Sequence, residues 1–230
     1  MSMIINPYWF VAGGGGGPTI IPTTNLLFEH RGPDLTAGDG NLITTWLDHQ
    51  PTNNDLGQMF GGPVQRDNTL NGLPTAEMGG NREMVLTSTQ SVSAFTYAAV
   101  MKCIDGNPRT LMAGNANSPQ VRINANKIEL LKATTALIGT STTTLSTSTF
   151  YTVGVTYDGT NYVFYVNGAT AGSGSNAQTF SDPVRYLGAS AVNAEEFAGN
   201  IAHQALYDAV LSGTDLTDLF DAMRNLWGHY

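Results

Sequence analysis

The sequence predicts an all-β fold: an antiparallel two-sheet sandwich with a short C-terminal helix and an extended N-terminal arm. Three observations predict it. Apolar and polar residues alternate along residues 151–157, where Tyr151, Val153, Val155 and Tyr157 interleave with Thr152, Gly154 and Thr156; a period of two is that of a strand. Asp158-Gly159 and Asn167-Gly168 punctuate the apolar runs on either side of residues 161–166. Such pairs tolerate the positive φ of tight hairpin turns. One stretch alone shows helical spacing, with Leu216, Leu219, Phe220, Met223, Leu226 and Trp227 forming an apolar stripe.

Residues 1–24 read as an arm, with one domain over residues 25–230. In the arm, Ile4, Ile5, Tyr8, Trp9, Phe10 and Val11 precede an unbroken run from Gly13 to Gly17, followed by Pro18 and Pro22. Five glycines hold no regular element and act as a joint. The residues before the joint are too apolar for a solvated tail, so they are expected either to pack on their own sandwich or to dock on another subunit. The run lacks a basic start and Asn6-Pro7 interrupts it, so no signal peptide is expected. No apolar stretch is long enough to span a membrane as a helix.

Further strands are expected over residues 42–47 and 95–101, the latter ending before Asp105-Gly106-Asn107-Pro108. Residues 121–123 and 127–131 flank Asn124-Ala125-Asn126 as a hairpin, with Asn supplying the left-handed positions. The Thr- and Ser-rich residues 140–149 read as a polar edge strand or an exposed loop. At the helix start Ser212 is a cap candidate, and Asp215 makes an imperfect capping box.

Of the 230 residues, 41% are hydrophobic and only 12% charged, with a formal net charge of −8. That supports a packed core and argues against a nucleic-acid partner, which calls for a basic stripe. Cys103 is the single cysteine, so no internal disulfide forms. It is expected to be a buried, inert thiol in a strand.

Three stretches carry a resemblance to a known family. They are Thr45-Trp46-Leu47-Asp48 with the later Leu70-Asn71-Gly72-Leu73-Pro74 and Gly79-Gly80-Asn81; residues 151–168; and Phe197-Ala198-Gly199-Asn200-Ile201 followed by Leu206-Tyr207 and Leu211-Ser212. In order and spacing they resemble the laminin-G-like branch of the concanavalin A-like lectin/glucanase superfamily, over about residues 26–228. The resemblance implies a jelly-roll topology, a core position for Trp46 and a carbohydrate-binding prior. It also implies a possible Ca2+ between loops, for which Asp48 and Asp55, with Asn53 and Asn54, and Asp158, with Asn161, are the candidates. No other cofactor is expected. The arm and its glycine run are similar to structural proteins of tailed-bacteriophage virions.

The chemistry of an enzyme is not legible. Glucanases of the superfamily carry their carboxylates in a Glu-x-Asp-x-x-Glu pattern, which does not occur here. Glu129 stands alone, adjacent Glu195 and Glu196 would point to opposite faces of a strand, and all three read as solvated. His30, His49, His203 and His229 lack metal-ligand spacing, and His203 reads as a packed or rim histidine. The glycine run lacks the Lys-Ser/Thr ending of a phosphate loop. Two functions are therefore expected of a non-enzyme. The first is a structural protein of a bacteriophage virion, assembled in the host cytoplasm: a capsid decoration or cement protein, or a head fibre. It would be anchored to the major capsid protein through Ile4–Val11 and homo-oligomeric. The second is a lectin-like carbohydrate-binding module.

Overall fold

The computed structural model describes residues 20–50, 53–79, 82–133, 136–190 and 195–229. Its first strands are β1 (Leu26–Arg31), β2 (Thr45–Trp46), β3 (Leu56–Phe60), β4 (Val64–Leu70), β5 (Leu73–Met78), β6 (Glu83–Gln90), β7 (Phe95–Cys103) and β8 (Arg109–Gly114). There follow β9 (Pro119–Asn124), β10 (Lys127–Lys132), β11 (Ala136–Thr140), β12 (Tyr151–Tyr157), β13 (Asn161–Val166), β14 (Ala169–Ser175), β15 (Val184–Leu187) and β16 (Gly199–Tyr207). Among the described residues there is one α-helix, α1 (Gly213–Trp227), near the C-terminal end, besides a 3-10 turn at Gly32–Asp34.

The strands form two eight-stranded antiparallel sheets in a jelly-roll sandwich. Sheet A runs β14-β13-β12-β7-β16-β5-β4, with β1 pairing β16 beside β5. Sheet B runs β11-β10-β9-β8-β15-β6-β3-β2. Between them lies the main core, where Phe28, Tyr97, Met101, Val153, Val155 and Leu206 meet Leu56, Met84, Leu111, Ile123, Ile128 and Leu130. Trp46 is in that core and its indole N–H donates to the Arg31 carbonyl at 2.8 Å. Cys103 is also buried there, in β7.

Helix α1 covers the other face of sheet A. Leu219, Phe220, Met223 and Trp227 bury against Ala98, Val100, Ala202, Ala205 and Tyr207. Small side chains on the sheet let the helix approach. At Gly154 a Cβ would lie 2.7 Å from the Phe220 ring, so the Thr152–Gly154–Thr156 face of β12 looks onto the helix and not into solvent. Two covered faces explain why β16 is buried at every position and β7 at nearly every one.

Local departures from the expected elements have physical causes. Residues 42–47 switch sheets: Leu42 bridges Val64 of sheet A, whereas Thr45–Trp46 pairs β3 of sheet B, leaving a two-residue strand. The β9–β10 turn places Ala125 (φ 48°) and Asn126 (φ 61°) in the left-handed region, so Ala, and not Asn124, takes one of those positions. The Thr-rich segment ends strand β11 at Thr140 and continues as loop, pinned through buried Leu145. Ser212 has extended backbone at the helix start but makes no side-chain cap.

Residues 1–19, which include Ile4, Ile5, Tyr8, Trp9, Phe10 and Val11, lie outside the described residues. The described end of the expected arm belongs to the sandwich. Ile21 is buried in the helix-side cluster and the Pro22 carbonyl accepts the Tyr207 hydroxyl at 2.9 Å. Removal of residues 1–24 therefore lowers the melting temperature below that of a chain lacking only residues 1–19. Loss of one buried aliphatic side chain corresponds to roughly 1.5–3 kcal/mol; equal melting temperatures refute this packing role.

The β13–β14 turn is the expected two-residue hairpin, with Asn167 at φ 52° and Gly168 at φ 78°. Val in place of Gly168 meets both a left-handed backbone and the Phe220 side chain 3.5 Å from the new Cβ. Gly168→Val is expected to lower stability by at least ~1–2 kcal/mol in urea unfolding, the cost of forcing a branched side chain into that region. An unchanged midpoint refutes the strain.

Candidate functional site

One end of the sandwich gathers the β6–β7, β8–β9, β12–β13 and β14–β15 connections, as the strand registers require. Within this rim, Ser91, Val92, Ser93, Phe180, Ser181 and Asp182 line a cleft of about 210 Å3. The β14–β15 connection is held firmly. The Tyr157 hydroxyl accepts the Gln178 N–H at 2.7 Å and lies 2.9–3.1 Å from the carbonyls of Gly159, Asn176 and Gln178. The Phe180 ring packs 5.5 Å from Tyr157 and 6.2 Å from Phe95 and is partly buried against the main core.

Asp182 uses one carboxylate oxygen, Oδ2, to accept the Asn117 N–H at 2.9 Å. Its Oδ1 meets only the Ser181 hydroxyl, at 3.5 Å, among the described residues. The cleft thus offers an aromatic wall, three serine hydroxyls and a carboxylate oxygen with spare acceptor capacity. Phe180 did not stand out in the sequence as a binding residue. Its signal is a solitary aromatic in the Gly-, Ser-, Asn- and Gln-rich residues 172–182. A second cleft, of about 320 Å3, follows the seam between α1 and the β13–β14 hairpin, where Asp221 and Arg224 pair at 2.6 Å.

The expected solvated acids are not free. On the outer face of sheet B, Arg122 stands between Glu129, at 2.8 Å from Nε, and Glu195, at 2.6 Å from Nη1. Asn124 donates to Glu129 at 3.2 Å, and Gln120 donates to Glu195 at 2.9 Å. The register explains the meeting, because Thr110, Arg122, Glu129 and Thr140 are successive cross-strand partners on one face. Residues far apart in sequence so form one ionic row that holds the segment around Glu195 to the sheet.

The loop acids proposed as metal ligands serve the backbone. Asp48 accepts the N–H groups of Glu29, Gln50 and Asn54 at 3.0–3.2 Å, and Asp55 accepts the Asp48 N–H at 2.9 Å. Asp158 accepts the N–H groups of Thr160 and Asn161 at 2.8 and 2.6 Å, on a separate turn. Among the described residues no three His, Cys, Asp or Glu side chains converge as metal ligands.

A buried polar chain crosses behind the helix. The Trp227 indole N–H donates to His203 Nδ1 at 3.2 Å, which leaves Nε2 to donate to Glu29 at 2.9 Å. Gln50 donates to the other Glu29 oxygen at 2.7 Å. Burial raises the Glu29 carboxyl, but His203, Gln50 and the charge of Arg31 outweigh it and hold it below the ordinary range. His203 is thus a packed histidine. His30, wedged between the Phe28 and Trp46 rings, donates to the Asn54 carbonyl at 2.9 Å. Burial draws its imidazole down to about 4, against the pull of Asp48.

The sequence profile of the laminin-G-like family, described as concanavalin A-like lectin/glucanases superfamily, matches residues 79–217, more than half of the chain. The chain belongs to this superfamily. No curated protein sequence matches it. Among solved structures, this superfamily member resembles domain 4 of AbnA, an extracellular arabinanase from Geobacillus stearothermophilus, in complex with arabinotriose. The TM-score is 0.63 at 15% identity, over 85% of this chain and 98% of that one. It also resembles botulinum neurotoxin type C, whose cell entry depends on interaction with two ganglioside molecules, with a TM-score of 0.63 at 12% identity over 87% of this chain. A third likeness is to the binding domain of Paraclostridial Mosquitocidal Protein 1, with a TM-score of 0.62 at 14% identity over 90% of this chain. The chain spans only about half of the two toxin chains, 51% and 55%. At these identities the likeness establishes the fold. Among the described residues no helix is long and apolar enough to cross a membrane.

The buried histidine sets a pH dependence. Between the ordinary value of 6.5 and the folded value of about 4, the unfolded chain binds a proton that folded His30 does not. Stability therefore falls as pH drops through that window, by about 3 kcal/mol for His30 when the window is crossed. His229, drawn down to about 4 by burial, adds to the fall over the same window. Glu29 contributes stability that is present above its ordinary 4.5 and is lost as pH falls below it. Urea midpoints at pH 7, 5.5 and 4 are expected to decline steadily, with a shallower slope for His30→Gln. A flat wild-type profile refutes the assignment.

Proposed function

We propose that the protein is a lectin-like carbohydrate-binding module that engages a glycan at the rim cleft. The observation that carries this reading is Phe180, a partly buried ring at the edge of the core, held by Tyr157 and Phe95, whose remaining surface lines the cleft with Ser91, Ser93, Ser181 and Asp182. Sugar rings have an apolar face that stacks on an aromatic wall and hydroxyl edges that need donors and acceptors. A platform mounted on the core costs little ordering entropy when a ligand arrives. The likeness to an arabinanase domain in complex with arabinotriose supports the reading at the level of fold. Both carboxylates of the sheet-B row are paired with Arg122, away from this cleft.

The alternative, a bacteriophage virion protein docked on the major capsid protein, rests on Ile4–Val11 in the arm, outside the described residues. The structural neighbours favour the carbohydrate-binding reading over it.

Glycan-array screening of the full chain, followed by calorimetry on the best oligosaccharide, tests the proposal. Phe180→Ala is expected to weaken binding roughly tenfold or more, since losing an aromatic platform removes stacking as well as area. Arg224→Ala, in the helix seam, serves as the control and is expected to leave binding unchanged. Undiminished affinity in Phe180→Ala, with the fold intact, overturns the site.

A further inference from the structure

We infer that the rim cleft takes electrically neutral glycans and rejects sialylated or uronic-acid ones, an inference that rests on the carbohydrate-binding reading. Of the six lining residues, only Asp182 is ionisable. Its Oδ2 is held by the Asn117 N–H, which leaves Oδ1, met only by the Ser181 hydroxyl at 3.5 Å among the described residues, with capacity to accept from a ligand. An ionised carboxylate only accepts hydrogen bonds, so the complementary ligand group is a donor: a sugar hydroxyl or an amide N–H. A ligand carboxylate placed there would face a like charge with no cation in the lining to offset it.

The surroundings reinforce the sign. Asp158 sits on the neighbouring β12–β13 turn, and Asp48 and Asp55 on the loop before β3 at the same end of the sandwich. Two strands that end at this rim carry cations, Arg185 of β15 and Lys132 of β10, and neither lines the cleft. Arg185 lies over the Tyr186 ring, 5.5 Å from its centroid. The whole chain carries −8, which repels anionic ligands at long range. A cleft that recognises acidic sugars would need the opposite: a guanidinium or ammonium free to pair with the ligand carboxylate. Arg122, on the outer face of sheet B, is instead neutralised by Glu129 and Glu195.

Matched pairs differing only in charge test this: lactose against 3′-sialyllactose, and galacto-oligosaccharides against oligogalacturonates, with arabinotriose as a further neutral probe. They are measured by array and calorimetry on the full chain at low and moderate salt. The neutral member of a binding pair is expected to bind at least tenfold more tightly than the acidic one, with the gap narrowing as salt rises. Asp182→Asn is expected to reduce the neutral-to-acidic ratio at least fivefold. If an acidic member binds the wild-type chain as well as or better than its neutral counterpart, the charge inference is overturned while carbohydrate binding stands. If no glycan of either charge binds, the carbohydrate-binding reading itself falls, and this inference with it. Should Asp182→Asn fail to fold, the wild-type pairs decide the question alone.

Discussion

The buried carboxylate of Glu29 is the constraint around which the molecule is assembled. An ionised group with almost no solvent contact is tolerable only when every lone pair is answered. His203 answers from the centre of sheet A, Gln50 from the loop after β2, and Trp227 orients His203 from the last turn of α1. One charge thereby fixes the relation of strand, loop and helix. The backbone N–H of the same residue donates to Asp48, which also gathers the N–H groups of Gln50 and Asn54. Apolar packing brings these elements together but is non-directional; the polar chain selects one arrangement among the ways they could pack.

The rim inherits its rigidity from the same logic at smaller scale. Sheet A is covered on both faces, so β7 and β12 hold Phe95 and Tyr157 in place. Tyr157 then does two things at once: its ring supports Phe180 and its hydroxyl knots the residues 176–178 backbone. A loop of Gly, Ser, Asn and Gln acquires definite form because a core residue reaches out to it. This is the usual division between a rigid scaffold and the loops that carry recognition.

Charge is allocated with the same economy. The acids that fold the loops, Asp48, Asp55 and Asp158, satisfy backbone donors; those on the sheet, Glu129 and Glu195, satisfy a guanidinium. Asp182 is the acid that lines the rim cleft, and it keeps one oxygen largely uncommitted there.

By itself the sequence determined the class of fold. Alternation along β12, the Asn167-Gly168 turn and the apolar stripe of α1 are local patterns, and local patterns survive because strand pleat, turn geometry and helix pitch are properties of neighbouring residues. The buried thiol of Cys103 was legible for the same reason, and the core position of Trp46 followed from the family resemblance. Only the tertiary structure decided which face of β12 meets the helix, why residues 42–47 yield a two-residue strand, and that Glu129 and Glu195, read as solvated, share Arg122. It alone decided the rim cleft, whose walls come from residues 91–93 and 180–182, nearly ninety positions apart. Cross-strand register and loop closure bring such residues together, and those depend on the pairing of whole sheets, a long-range property that no window of sequence contains.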